Sequence, residues 1–195
     1  ERTAIPGIDV SENRQADLIK QFSAYYPEMP FPEDRQEGRR YYFKNPYFGH
    51  GSAVILYSII RHFRPARIVE VGSGFSSAAM LDVNDLFFGG RIPCTFIDPY
   101  PERLYSLLTA RDRESHRVIA DIGQHIPASV FSSLRENDIL FIDSSHVAKT
   151  GSDVVYLLTE ILPILSKGVI IHIHDIYWPF EYPEDWVLSG KAWNE

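Results

Sequence analysis

Cysteine is nearly absent from this chain: Cys94 is the single one among 195 residues. A lone thiol excludes an intrachain disulfide and suits a reducing compartment such as the cytoplasm. It lies in the apolar run Ile92–Ile97, where a thiol serves as a small buried hydrophobe and not as a nucleophile. No apolar run approaches the roughly 20 residues that a membrane-spanning helix needs. No secretory leader is visible either, although a chain that opens at Glu1 leaves room for a leader removed upstream. Positive charge is also in deficit. Lys and Arg number 19 against 26 Asp and Glu, a net charge of −7. That balance argues against nucleic acid held over a broad surface, while leaving a local basic patch open. Internal repeats and low-complexity tracts are missing.

What is present is ordinary globular material, with 45% hydrophobic and 23% charged residues. Its organising stretch is Arg67-Ile68-Val69-Glu70-Val71-Gly72-Ser73-Gly74-Phe75-Ser76-Ser77. The β-branched residues predict a strand buried in a parallel sheet. Gly72 and Gly74 predict a tight turn that brings backbone close to a ligand. Ser76 and Ser77 are placed to cap a following helix, whose N-terminus would face that ligand. A dinucleotide turn wants a third glycine where Ser77 stands. Glu70 would repel a pyrophosphate but suits a ligand bearing an ammonium group.

Upstream, Ser11–Tyr25 reads as a helix with Ser11 as N-cap. Residues 26–50 are rich in proline, tyrosine and charge, and Pro27, Pro30 and Pro32 exclude a helix there. This aromatic arm is of the kind that covers a ligand site, with Asn45 and Tyr47 as residues that could reach a cofactor. A helix follows over Ala53–Phe63, with Ser52 as its expected cap. The expected division is therefore a helix and lead-in arm over 1–51 and a ligand-binding domain over 52–195.

After the glycine turn, helix and strand alternate. Helices are expected over Phe75–Phe87, Pro101–Ala110, part of 123–135 and Gly151–Leu165. Strands are expected over Ile92–Ile97, Arg117–Ala120, Asp138–Ile142 and Val169–Ile173. Such alternation predicts an α/β, Rossmann-like parallel sheet with helices on both faces. Ligands of such sheets lie beyond the carboxyl ends of the strands. There the sequence places Glu70, Asp98, Asp121, Asp143 and Asp175, an acid at each of five strand ends. Clustered carboxylates need a cation or hydrogen-bond donors.

The acid followed by G-x-G at the first strand resembles motif I of the class I S-adenosylmethionine (SAM)-dependent methyltransferases. The run Ile142-Asp143-Ser144-Ser145-His146, then Asp153, then Gly168-Val169-Ile170-Ile171-His172-Ile173-His174-Asp175, resembles a bacterial branch of that family. That branch methylates oxygen on small molecules and sugars and includes relatives of cephalosporin hydroxylase. Asn45-Pro46-Tyr47-Phe48 belongs to the same likeness, while Lys167 departs from the branch's usual Gly-Gly.

The resemblance implies a cofactor set of Glu70, Gly72, Ser73, Gly74, Ser77, Asp98 and Asp121, with Asp98 on the ribose and Asp121 on the adenine amino group. It also implies a divalent ion, Mg²⁺ or Mn²⁺, on Asp143, His174 and Asp175. His174 and His146 are then the residues for acid–base work. His172 is expected to be a core residue. A class I domain has two further strands, for which this chain has no residues, so more chain is expected after Glu195. The unpaired edge of the fifth strand would suit a second copy, in a homo-oligomer. Two rivals remain at this stage: a nicotinamide-dependent or hydroxylase-like oxidoreductase, and a non-catalytic SAM-fold module. The expected partner is a small-molecule or sugar acceptor, bound beside the aromatic loop 176–195, with no membrane involvement.

Overall fold

The computed structural model describes residues 9–178 and 181–195. Most of the expected lead-in at 1–10 and the Pro179-Phe180 part of the aromatic loop lie outside the described residues. Helix α1 spans Glu12–Phe22 and passes into a 3-10 turn, Ser23–Glu28. Ser11 does not cap it: its backbone is left-handed and its hydroxyl makes no capping bond. Pro27 lies inside the 3-10 turn, where i→i+3 bonding tolerates what an α-helix interior would not. Helix α2 covers His50–Phe63, opens at Gly49 and turns out of the helix at Arg64. Ser52 is therefore already inside the first turn, not at the cap.

Strand β1 is Ile68–Val71 and helix α3 is Phe75–Phe88, closed by Gly89 in left-handed conformation. Strand β2 is Cys94–Ile97. The single helix expected over Pro101–Ala110 is two: α4, Glu102–Leu107, and α5, Ala110–Ser115. Thr109 divides them, because its hydroxyl and the Asp112 carboxylate cap each other's backbone N–H groups. Strand β3, Arg117–Ile119, is followed by a 3-10 turn at Gly123–His125 and helix α6, Ala128–Ser132. Strand β4 is Ile139–Ile142 and helix α7 is Asp153–Tyr156, capped by Ser152. The helical path then widens into a π turn, Leu157–Ile161, and tightens to 3-10 at Leu162–Ile164. Pro163 has no N–H to continue the α ladder. Strand β5, Ile170–Ile173, and helix α8, Glu184–Leu188, complete the described elements.

The sheet is parallel throughout, in the order β3-β2-β1-β4-β5. Pleating divides it into two faces. Ile68, Cys94, Phe96, Ile139 and Phe141 pack against α2, α3 and the aromatic arm. Val69, Val71, Ile97, Leu140 and Ile142 pack against the layer that contains Phe131, Leu157 and Ile161. No described helix is long and apolar enough to cross a membrane.

The arm is fastened to the domain by a buried charge cluster. Arg40 bonds Asp82 and Asp85, each at 2.8 Å, and takes Asp112 with two nitrogens, at 2.6 and 2.9 Å. Asp82 also accepts the backbone N–H groups of Arg40 and Tyr41. Burial works against the Arg40 charge, but the three carboxylates more than offset it and hold its pKa above the ordinary arginine value. Next to it Tyr41 is fully buried, donates to the Phe48 carbonyl at 2.7 Å, and is pushed up to about 12 by burial.

Glu70 lies on the α3 face of β1, in register with Phe96 and Phe141. It is wholly buried, and the Ser76 and Ser77 hydroxyls at the start of α3 each donate to it at 2.5 Å. Ser77 also accepts the Gly74 N–H at 3.0 Å. The two serines thus tie the glycine turn down onto the acid beneath it. Burial pushes Glu70 up to about 8, against the serine donors that pull it down.

Two stability outcomes follow. Replacing Arg40 by methionine strands Asp82 and Asp112, which are 2% and 3% exposed, and is expected to cost about 3–5 kcal/mol. Thermal unfolding would show it as a fall of roughly 6–20 °C, and an unchanged melting temperature would refute the clamp. The Glu70 carboxyl ionises near 4.5 when exposed and near 8 when folded. Stability from this group is complete below about 4.5 and is lost as pH rises to about 8. In Glu70→Gln that part of the slope should vanish from urea midpoints measured across this window, and equal slopes in both proteins would count against the buried neutral acid.

Candidate functional site

The carboxyl ends of β1, β2 and β4 open into a cleft of about 440 Å³, within the range of small-ligand sites. Gly72 forms its floor. Its φ is +83°, and a Cβ there would meet the Asp143 carbonyl oxygen at 1.8 Å. Only glycine lets the turn rest on the end of β4. Asp98 forms one side. Its Oδ2 accepts the Ser73 N–H at 2.9 Å and hydroxyl at 2.8 Å, and its Oδ1 accepts the Tyr100 N–H at 2.8 Å. A carboxylate has about four lone-pair sites, so one remains free, and a second opens when the Ser73 hydroxyl rotates away.

Of the residues expected to bind a ligand, Gly72, Asp98 and Asp143 line this cleft. Glu70 does not. The acid expected beside an ammonium group lies under the turn, where it shapes the site through Ser76 and Ser77. Ser73, Gly74 and Ser77 build the turn without lining the cleft. Asp121 also stays out of the wall. It bonds the Ile122 N–H at 2.8 Å and His125 at 2.9 Å, which together hold its pKa below the usual range. Its successors Ile122, Gly123 and Gln124 line the cleft instead. Asn45 is spent on its own loop, bonding Tyr42, Tyr47 and Phe48. Tyr47 is exposed, stacked on Phe75 with the Arg103 guanidinium 3.7 Å from its ring centre.

Several lining residues carried no sequence signal of their own: Gln124, Ser144, Ser145, Lys149 and Ser152. Gln124 Oε1 and Ser144 Oγ are buried with no hydrogen-bond partner among the described residues. Unpaired buried polar atoms are costly unless a ligand or water completes them. Asp153 accepts the N–H and hydroxyl of Ser145, at 3.0 and 2.5 Å, and so sets the loop after β4.

Beside the cleft stands a second group. Donor atoms of Asp143, His146 and Asp175 lie within 4.8 Å of one another. His146 thus joins the two aspartates as a candidate third donor beside the expected His174. The His174 Nδ1 is 3.4 Å from Asp143 and 3.5 Å from Asp175, buried, and without a hydrogen bond. His146 and Asp175 both have left-handed backbones, with φ of 59° and 58°, a strain that concentrates at functional sites. The carboxylates are about a third exposed, whereas both imidazoles are buried behind them.

Burial disfavours the charged form of His146, but Asp143 at 3.1 Å and the Glu195 carboxylate more than offset it and push its pKa up to about 9. Burial also raises Asp143, yet the neighbouring imidazoles of His146 and His174 hold it well below the usual carboxylate range. His172, half-buried on β5, is lowered to about 4 by its partial loss of water and packs against Phe141. The two aspartates offer the oxygen donors that a divalent ion prefers. His146 can join them only after losing its proton, because both of its nitrogens are engaged.

Residues 69–176, more than half of the chain, match the family model described as a methyltransferase domain. An uncharacterized protein of Archaeoglobus fulgidus is 34% identical over 137 residues, which is 68% of this chain. This chain spans 61% of that relative's length. The solved structure described as "cmcI-N160 SAH" shares the fold at 16% identity, over 83% of this chain and 79% of its own, with a TM-score of 0.50. With strand order, glycine turn and acid-lined cleft in place, the chain belongs to the methyltransferase domain family.

Proposed function

We propose that this chain is the catalytic domain of a SAM-dependent methyltransferase that acts on a hydroxyl oxygen of a small molecule or sugar. The observation that carries this reading is the cleft itself. It joins the glycine turn, a partly free Asp98 carboxylate and two unpaired polar atoms at the carboxyl ends of a parallel sheet. The S-adenosylhomocysteine (SAH) named with the structural relative supports the choice of cofactor. The serine in place of a third glycine weighs against a nicotinamide dinucleotide.

When bound, SAM supplies a methyl group on a sulfonium ion. Asp98 would accept from the ribose hydroxyls. The backbone at Ile122–Gln124 would border the adenine, with the Gln124 Oε1 as a waiting acceptor for its amino group. Asp121 would then act on the adenine side by shaping this turn. The acceptor hydroxyl would lie against Asp143 and Asp175, the exposed members of the second group. Asp143 is a poor proton acceptor, because its imidazole neighbours hold its pKa well below the usual carboxylate range, which leaves Asp175 for that task. His146 and His174 would act through these carboxylates. Asp143, Asp175 and deprotonated His146 would hold a divalent ion, which would add Lewis acidity toward the hydroxyl.

A hollow of about 330 Å³, lined by Val10, Glu12 and Gln15 and by Ile176, Tyr177 and Trp178 of the segment that follows Asp175, is the candidate acceptor pocket. Tyr182, Trp186 and Trp193 continue the aromatic wall, and Trp193 lies 4.0 Å from the His146 ring. Such faces take the apolar sides of sugars and the rings of phenols.

Calorimetric titration tests this directly. SAM should bind at micromolar concentration and NADH should give no heat. Asp98→Asn, which keeps the side chain's shape but removes its charge, should weaken SAM by about tenfold or more. Mn²⁺ binding should be lost in Asp175→Asn. NADH binding without SAM binding would sink the methyltransferase reading.

A further inference from the structure

Ser52 is placed where neither its expected capping role nor the family match explains it. It sits in the first turn of α2, outside the matched residues 69–176. Its Oγ is 3.0 Å from His174 Nε2, the one side-chain hydrogen bond it makes among the described residues. The rest of the His174 environment is set. Its backbone N–H donates to the Ile142 carbonyl at 2.8 Å. Phe48, 4.9 Å away, and Phe141, 6.1 Å away, flank its ring. Its Nδ1 faces the Oδ1 atoms of both Asp143 and Asp175.

An imidazole nitrogen with a bare lone pair would repel two carboxylates. The same nitrogen carrying a proton attracts both. In the neutral ring of the metal-free chain the Nδ1–H tautomer is therefore favoured, and it leaves Nε2 as an acceptor in need of a donor. Ser52 Oγ–H is the donor present. We propose that Ser52 is a positioning residue for the methyl-transfer site: it fixes His174 as an Nδ1–H donor aimed between Asp143 and Asp175. His174 then orients the carboxylate pair and is not itself a ligand. The aromatic arm and α2 both reach the site here, since Phe48 and Ser52 hold the His174 ring from outside the matched segment.

The inference rests on the proposed function only for its effect on turnover. The tautomer can be read without any reaction, by ¹⁵N spectra of ring nitrogens in the histidine-labelled chain, with His174→Gln to assign the signal. Wild type should show Nδ1–H. Ser52→Ala should populate the Nε2–H form, and Ser52→Thr, which keeps the hydroxyl, should restore the wild-type spectrum. In Ser52→Ala the turnover rate should fall about tenfold, as for other groups that orient a reacting residue, with SAM affinity changed by less than about twofold. Wild-type His174 in the Nε2–H form or doubly protonated, or a spectrum unchanged by Ser52→Ala, would overturn the proposal. A wild-type chain that neither binds SAM nor transfers methyl would instead remove the methyltransferase reading and leave the spectra to judge Ser52.

Discussion

The contact on which both halves of the site depend is the passage of Gly72 over the end of β4. A single added carbon at Gly72 would stand 1.8 Å from the Asp143 carbonyl oxygen, so the glycine turn and the first residue of the acid–histidine cluster are set by one another. Gly72 N–H donates to Ile97, and Asp143 N–H donates to Val71, each at 2.8 Å. These bonds extend the parallel ladder one step beyond the strands. The cleft's glycine turn and the acid–histidine cluster therefore meet across one backbone contact and not through flexible side chains. Methyl transfer depends on such alignment more than on any single catalytic group.

The five acids at the strand ends share a position in the topology, and each meets a different environment. Glu70 is buried and held by two serines. Asp98 is bound by backbone N–H groups with capacity left over. Asp121 is turned toward His125 and solvent. Asp143 is kept ionised by imidazoles, and Asp175 stands beside it with a left-handed backbone. A parallel sheet collects its carboxyl ends at one edge, but each loop's hydrogen bonds decide what its acid can do. His146 lies between Asp143 and Glu195, whose carboxylates raise its pKa and favour its charged form at this negative edge.

Much of the fold was legible because it rests on local patterns. β-branched runs ended by acids marked the strands, and the alternation with helices implied the parallel sheet that is observed. Boundaries moved where side chains competed for backbone groups, as at Thr109 and Pro163. The site was less legible. Gln124 and Ser144 are common loop residues, and their significance comes from being buried without partners. Ser52 looked like a cap in the sequence and proved to be a partner of His174, 122 positions away. No spacing rule links two such residues.

The sequence by itself determined the sheet, the glycine turn and the gathering of five acids at one edge, because periodicity and turn chemistry act over a few neighbours. Tertiary structure alone decided that Glu70 would be buried under the turn and that His146 would stand beside Asp143 and Asp175 along with His174. It also decided that the arm would reach the His174 ring through Phe48, beside Ser52 of α2. These outcomes depend on which groups lose water and which find partners across the sheet, and those are properties of the packed chain.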